Sequence, residues 1–324
     1  MKRDDLEFYS QQGPMTEPGR YKALFDGLPK EPAGLAAAIQ GLALYDVVAG
    51  EFYGVDVPKA RLAELHLRWI EQRIERLLEL DPRPLEIARP PERRVLGRCY
   101  QFVLFMVSML RAKGVPARAR CGFGAYFNPP KFEDHWVCEF WNAQEKRWIL
   151  ADPQFDHVWL ERFKIRHDVM DVPRTQFLTA AEAWRRCRAG EADPELFGIS
   201  FVDLFGLWFI AGNLVRDLAE LNKVEMLPWD VWGAHPQLGE RFGADRLGFF
   251  DEVARITLDP DATFHELRRR YDGDERLRVP TTVFNGLLER SEVVMSDKRS
   301  RRPRPTIVAN ATAAPKSGGA TLQG

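Results

Sequence analysis

The chain has few cysteines, almost no net charge and no long apolar run. Its four cysteines lack the spacing of disulfide or zinc frameworks, which argues against both. The formal net charge is −1, so no overall field favours nucleic acid or a membrane surface. The longest apolar stretch, 201–215, is too short to span a bilayer and contains Asp203 and Asn213. Internal repeats, phosphate-binding glycine loops and metal-ligand clusters are also missing from the sequence.

The first residues lack the apolar segment of a secretion signal. After the basic residues Lys2 and Arg3 the sequence continues with acidic and polar positions. Because no run is long enough to span a membrane either, we expect a soluble cytoplasmic protein without membrane contact. A reducing compartment of this kind suits a reactive thiol.

Residues 1–90 are predicted to form a helical cap on the rest of the protein. The first thirty residues are polar and rich in turn formers, so we expect them to wrap the surface. Helical spacing of apolar residues runs through 32–48, and a clearer amphipathic helix is predicted over 58–80. Four prolines between positions 81 and 91 end this helical pattern and lead into the next region.

Residues 176–295 are predicted to form a second helical region. Thr179 and Glu182 make a capping box at the head of a helix that ends near Gly190. Further helices are predicted over 195–223, 249–258, 263–271 and 281–294.

The last residues, 296–324, have the composition of a disordered basic tail. Five Lys or Arg residues lie between Lys298 and Arg304. A solvated tail is the favoured interpretation and contact with RNA or an acidic partner the alternative, so no nucleic-acid partner is expected.

Between these regions, residues 91–175 contain the stretch with the clearest chemistry. Cys99 opens a strongly apolar helix over 99–113, which Gly114 ends in the place of a C′ glycine, with Pro116 two residues beyond. Three strand-like runs follow this helix, at 118–127, 134–141 and 147–152.

The second and third runs are joined by a short polar loop, which predicts an antiparallel hairpin. If Trp141 faces Trp148, Asp152 lies opposite Val137. His135, two residues earlier, then points to the same face of the sheet as Asp152. A tighter loop would place His135 directly opposite Asp152, and either register brings imidazole and carboxylate within reach. A shift of one residue would put them on opposite faces.

Cys99, His135 and Asp152 together have the residue types of a nucleophile, its base and the group that orients the base. Unpaired N–H groups at a helix start favour a thiolate, as does a neighbouring imidazolium. An aspartate behind the imidazole fixes its tautomer. A lone cysteine is more often a small buried hydrophobe, and we keep that interpretation for the other three cysteines, Cys121, Cys138 and Cys187.

The stretch from Cys99 to Asp152 resembles the transglutaminase-like superfamily, relatives of the papain-type cysteine proteases. The resemblance covers residues 94–156 and is carried by the Cys-headed helix, RAKGVPAR, CGFG, DHW and the W…DP strand. It implies an α+β fold, with the Cys helix packed on an antiparallel sheet. It also implies Cys99 as nucleophile, His135 as base and Asp152 as acid. The extra domains of calcium-regulated members are not evident, so we expect neither a metal nor another cofactor.

Two further parts of the site have several candidate residues. Papain-type relatives supply a second oxyanion donor shortly before the cysteine, often Gln, but 81–98 has no Gln, Asn or Trp. Arg93, Arg94 and Arg98 are the candidates there, and this donor stays unassigned. Asp156 and His157, just past the third strand, are interpreted as loop residues, with a role in the site as the alternative.

The predicted helix 195–223 allows two interpretations. Its aromatic residues fill the core, or the helix walls the cleft together with 227–233 and selects the acyl donor. In the second interpretation Trp208, Asn213 and Arg216 bind substrate.

These observations predict thiol-dependent acyl chemistry on a peptide, amide or other acyl donor, through a thioester intermediate. The acceptor is water or an amine, with hydrolysis favoured because nothing marks an amine site. The alternative is a catalytically inactive binding module that kept the fold.

Overall fold

The computed structural model describes residues 3–295. Within this range the α-helices, labelled α1 to α10 in chain order, are Asp4–Ser10, Pro32–Gln40, Ala49–Tyr53, Ile70–Leu80, Cys99–Ala112, His157–Arg162, Ala180–Arg188, Leu207–Leu221, Ala244–Leu258 and Phe264–Gly273. The strands, β1 to β11, are Ala43–Tyr45, Val95–Gly97, Ala117–Gly124, Phe132–Asn142, Arg147–Ala151, Phe177–Thr179, Phe197–Ile199, Leu204–Phe205, Asp230–Val231, Thr282–Asn285 and Arg290–Val293.

A six-stranded sheet lies at the centre. Its strand order is β6-β3-β4-β7-β8, and β5 pairs with β4. The long pairs β3–β4 and β4–β5 are antiparallel, whereas β7 runs parallel to β4. Helix α5 packs against β3 and β4, and α8 packs against β3. The predicted α+β fold, a Cys-headed helix on an antiparallel sheet, is therefore confirmed.

Helix α5 is the central helix of the larger hydrophobic core. Thirteen of its fourteen residues, Cys99 through Arg111, are buried, as expected for a helix that is apolar on nearly every side. The chain leaves it at Gly114, whose φ of +76° lies in the left-handed region that glycine adopts without strain. Residues from all three predicted regions, such as Ile39, Phe105 and Leu214, share this core.

A second, smaller core lies around the end of the β4–β5 hairpin. Val137, Leu150, Phe155 and Trp159 belong to it. The residue before Val137 and the residue before Leu150 both belong to the larger core. Successive side chains of a strand point to opposite faces, which explains this alternation.

The predicted helix 32–48 is too long. Helix α2 ends at Gln40, and Ala43–Tyr45 forms β1, which pairs in parallel with β2. Gly41 separates the two elements, and a short apolar run such as this fits either a strand or a helix until its pairing partner is known.

The predicted helix 58–80 is interrupted. Lys59–His66 forms a 3₁₀ segment, Leu67 and Trp69 have extended backbone, and only Ile70–Leu80 is α-helical. Between the two segments, Arg68 forms ion pairs with Asp230 and Glu292. These contacts with distant parts of the chain override the helical periodicity.

The predicted helix 195–223 begins only at Leu207. Before it, β7 and β8 form a tight hairpin, and Gly206 follows with φ of +117°. A Cβ on Gly198 would lie 1.8 Å from the carbonyl oxygen of Leu204, so only glycine permits the two strands to pair this closely.

The predicted helix 281–294 is wrong, because these residues form the β10–β11 hairpin. Val283 and Asn285 are buried while Thr282 and Phe284 are exposed, which is the period of a strand. Strand β10 also pairs with β9 through Asn285 and Asp230, a contact that local spacing does not reveal.

Other predictions for the C-terminal region agree with the structure. The Thr179 hydroxyl accepts the Glu182 N–H at the start of α7, and α9 and α10 include the predicted 249–258 and most of 263–271. The predicted tail 296–324 lies outside the described residues. Within residues 3–295, no helix combines the length and the apolar character needed to cross a bilayer.

Candidate active site

The register of the β4–β5 hairpin brings His135 and Asp152 together. Trp141 pairs with Trp148, which is the first of the two registers considered, and this register places Asp152 directly after β5 on the face of His135. His135 Nε2 lies 2.5 Å from Asp152 Oδ2. The backbone N–H of Gln154 donates to Oδ1 of the same carboxylate at 3.2 Å. Asp152 therefore holds the imidazole from one side and is itself held by the turn that follows.

Cys99 is the first residue of α5, and its helix start is fixed by side-chain contacts. The backbone N–H of Arg98 donates to Gln101 Oε1 at 2.7 Å, and Gln101 Nε2 donates to the Leu65 carbonyl at 3.0 Å. Arg98 Nε and Nη2 donate to both oxygens of Asp46. The thiol thus lies at a well-braced helix start, where unpaired backbone N–H groups favour an anion.

The structure brings the Cys99 thiol to the side chain of His135. Burial lowers the pKa of His135, but the charge and hydrogen bond of Asp152 and then the hydrogen bond from Cys99 outweigh it and raise the pKa to about 10. Asp152 occupies Nε2, so Nδ1 is the ring nitrogen left for the thiol. A thiol beside a protonated imidazole is the arrangement of a nucleophile and its proton donor.

Little water reaches the three side chains. Cys99 is 7 % exposed, His135 2 % and Asp152 1 %. Aromatic rings surround the imidazole, with centroid distances of 4.9 Å for Phe127 and 6.0 Å for Phe155. A dry environment strengthens the charge interactions among the three groups.

Tyr126 is a contact of the site that the sequence did not reveal. Its hydroxyl donates to Asp152 Oδ2 at 2.9 Å. Burial and then the Asp152 charge raise the pKa of Tyr126 well above its usual value, so the hydroxyl stays a donor. Tyr126 lies just beyond β3, and its only signal in the sequence is its place after the CGFG strand.

Two of the predicted substrate residues form a hydrogen-bonded chain to Asp134. Asn213 is fully buried and its Nδ2 donates to Asp134 Oδ1 at 2.7 Å. Arg216 is half-buried and its Nη1 donates to Asn213 Oδ1 at 3.0 Å. Burial raises the pKa of Asp134 to about 6. Asn213 and Arg216 are thus tied to the residue that precedes His135.

Trp208, the third predicted substrate residue, is held elsewhere. Its indole N–H donates to the Phe205 carbonyl at 2.8 Å, and its ring packs edge-on against Phe209 at 5.5 Å. Phe209 and Leu214 of the same helix belong to the larger core. The apolar side of α8 therefore fills space in the core.

The other cysteines are not arranged for chemistry. Cys121 and Cys138 are fully buried, and burial raises the pKa of both thiols well above the usual value. Burial raises the pKa of Cys187 to about 12. These three thiols are protonated at neutral pH, as expected for packing residues.

Asp156 and His157 lie in structural positions. Asp156 caps α6 by accepting the N–H groups of Val158 and Trp159, and it also accepts the Tyr53 hydroxyl at 2.8 Å. His157 is exposed. Among residues 3–295, no group of three or more His, Cys, Asp or Glu is arranged to hold a metal ion.

The three arginines considered as oxyanion donors have other partners. Arg98 is paired with Asp46. Arg94 Nε donates to the Arg89 carbonyl, and the Arg93 guanidinium donates to the Leu80 carbonyl.

Comparison with known families gives one match. Residues 58–153 match the model of the transglutaminase-like superfamily. The matched segment contains Cys99, His135 and Asp152. This segment is therefore similar to the transglutaminase-like superfamily, and the similarity suggests thiol-dependent acyl chemistry as the class of activity.

The chain was also compared with solved structures and with curated proteins. A solved structure named "putative cysteine protease", from Cytophaga hutchinsonii, is 14 % identical over 55 % of this chain, with a TM-score of 0.31. This chain spans 46 % of that chain's length. No curated protein matches the chain.

Proposed function

We propose that the protein is a cysteine hydrolase that cleaves a peptide, amide or related acyl donor through Cys99, His135 and Asp152. The observation that carries the proposal is the buried contact of 2.5 Å between His135 and Asp152, beside a cysteine at a helix start. A paired and oriented imidazole next to a thiol is what nucleophilic catalysis requires.

The first half of the reaction forms a thioester. The Cys99 thiolate adds to the carbonyl carbon, a C–S bond forms, and the π electron pair moves onto the oxygen. The oxyanion then collapses, the C–N bond breaks, and the His135 imidazolium gives its proton to the leaving nitrogen. General acid help of this kind is typically worth about 10²–10⁴-fold in rate.

The second half releases the acyl group. His135, now neutral, takes a proton from water as the water oxygen bonds to the thioester carbon. The C–S bond then breaks, the carboxylic acid leaves, and the thiolate–imidazolium pair is restored. Asp152 keeps its hydrogen bond to the ring throughout.

Asn213 and Arg216 are proposed to orient the polar end of the donor. Arg216 supports this role because it is half-buried and has no carboxylate within ion-pair distance among residues 3–295. Trp208 is proposed to contact the donor's apolar part from the start of α8.

Turnover of a general acyl donor, p-nitrophenyl acetate, tests the proposed nucleophile. Cys99→Ala should abolish turnover without unfolding the protein, because alanine is well tolerated at a helix start. Cys187→Ala is the matched control, since Cys187 is the other thiol that is not fully buried, and it should keep full activity. Equal turnover by Cys99→Ala would contradict the proposal and leave the non-catalytic binding module.

Product analysis identifies the acceptor. The reaction is run in water and again with added methylamine. Free acetate as the main product in both supports hydrolysis, whereas N-methylacetamide as the main product at low amine concentration would replace hydrolysis by acyl transfer.

A further inference from the structure

The proposed reaction places a negative charge on the carbonyl oxygen of the donor, and that charge needs two hydrogen-bond donors. The backbone N–H of Cys99, at the free end of α5, is one. The nearby arginines have other partners, as described above. The second donor must therefore come from a different part of the chain.

Strand β1 brings Tyr45 next to the segment that leads into Cys99. Tyr45 pairs with Gly97 in the parallel β1–β2 ladder, two residues before the nucleophile. The N–H of Asp46 donates to the Gly97 carbonyl at 3.3 Å. The Asp46 carboxylate is bound through both oxygens by Arg98. The backbone on both sides of this contact is therefore fixed.

The Tyr45 ring lies between the two hydrophobic cores, half-buried and packed edge-on against Trp159 at 5.3 Å. Within residues 3–295 its hydroxyl has no hydrogen-bond partner. Burial and then the charge of Cys99 raise the pKa of this hydroxyl well above its usual value, and Asp134 adds to the effect. The hydroxyl is thus protonated and able to donate at neutral pH, and the pairing of Tyr45 with Gly97 places it beside the residues that lead into Cys99.

We propose that the Tyr45 hydroxyl is the second donor of the oxyanion hole. This role rests on the proposed function. As the Cys99 thiolate bonds to the carbonyl carbon and the π pair moves to oxygen, Tyr45 donates its O–H hydrogen to that oxygen. No proton is transferred, and the hydrogen bond is released when the oxyanion collapses to the thioester.

Other buried tyrosines near the site have partners already. Tyr126 donates to Asp152 and Tyr53 to Asp156. Tyr100 donates to the Glu225 carbonyl at 2.7 Å. These hydroxyls would have to give up a hydrogen bond to meet an oxyanion, and Tyr45 would not.

One rival donor is Trp229, whose buried indole N–H has no partner among the described residues. Its ring packs against His66 at 5.4 Å and lies under the Arg98 guanidinium at 5.6 Å. Trp229 thus contacts His66 and Arg98 and stays the rival donor that the test below separates from Tyr45.

The test compares two reactions of the same thiol. Acylation by p-nitrophenyl acetate passes through an oxyanion, whereas alkylation by iodoacetamide displaces iodide and forms none. Tyr45→Phe should lower the acylation rate by about 10²–10³-fold, the usual effect of losing one oxyanion donor. The same variant should leave the alkylation rate of Cys99 unchanged, which also shows that the site is folded.

Two control variants accompany Tyr45→Phe. Tyr53→Phe removes a hydroxyl that is bound to Asp156, and Trp229→Phe removes the rival donor; both should keep the acylation rate. The assignment is overturned if Tyr45→Phe acylates normally, if its alkylation falls in parallel, or if Trp229→Phe shows the loss instead. A wild-type Cys99 that alkylates but never acylates would instead overturn the proposed function.

Discussion

The carboxylate of Asp152 lies 2.5 Å from the imidazole of His135, and both are buried where β5 ends beside β4. A neutral amide in place of this carboxylate would leave the imidazolium without its counter-charge and favour the wrong tautomer. We therefore expect Asp152→Asn to keep the fold and to lower kcat by about 10⁴-fold. A loss of only twofold or threefold on p-nitrophenyl acetate would make Asp152 a structural residue.

The same contact predicts how stability depends on pH. The pKa of His135 is about 10 in the folded protein, above its usual value near 6.5. Its protonated form therefore stabilises the fold fully below pH 6.5, and this contribution is lost as pH rises through 10. In urea titrations, the advantage in unfolding free energy of the wild type over Asp152→Asn should be largest near pH 6 and shrink towards pH 10. An advantage that grows over this range would contradict the ion pair.

Tyr126 should act through Asp152 without touching the substrate. Its hydroxyl bond to a charged oxygen is worth about 1.5–3 kcal/mol, so Tyr126→Phe should lower kcat by about 10- to 100-fold and leave KM nearly unchanged. The pKa of His135 should change with it, because one partner of Asp152 is lost. Tyr53→Phe is the matched control, since it removes a hydroxyl bound to Asp156, away from His135. Equal losses in the two variants would indicate a general effect on stability.

Trp208 separates the two interpretations of α8. The indole is half-buried and donates a hydrogen bond to the Phe205 carbonyl, so Trp208→Ala should lower the melting temperature. The loss of unfolding free energy should be smaller than the about 3–5 kcal/mol that a fully buried Trp costs. If it also contacts the donor, as proposed, KM should rise while the iodoacetamide rate of Cys99 stays the same. A lower melting temperature with unchanged KM would contradict the substrate role and leave core packing as the role of Trp208.

The sequence predicted the parts of the site that depend on local order. Helix α5, the β4–β5 hairpin and the contact between His135 and Asp152 follow from a capped apolar helix, a short polar loop and the period of two along a strand. Each of these features depends on residues within about fifty positions of one another, and a tight loop allows a hairpin only a few registers.

The parts that were not predicted depend on distant pairing. Tyr45 was assigned to a helix because the run that contains it is apolar, and only Val95–Gly97, some fifty residues later, makes it a strand. Thr282–Asn285 likewise pairs with Asp230–Val231. The predicted strand 118–127 ends at Gly124, so Tyr126 lies beyond it on a loop and nothing local points to its partner. Long-range pairing of short segments leaves little trace in local spacing.

The measurement that tests the central claim most directly is the mass of the intact protein after rapid mixing with p-nitrophenyl acetate and acid quench, followed by peptide mapping. We predict a single acetyl group, on the peptide that carries Cys99, formed in a burst with p-nitrophenolate and absent in His135→Ala. An unmodified protein, or an acetyl group found on Cys187 or on lysines at the same rate in Cys99→Ala, would contradict a nucleophilic role for Cys99.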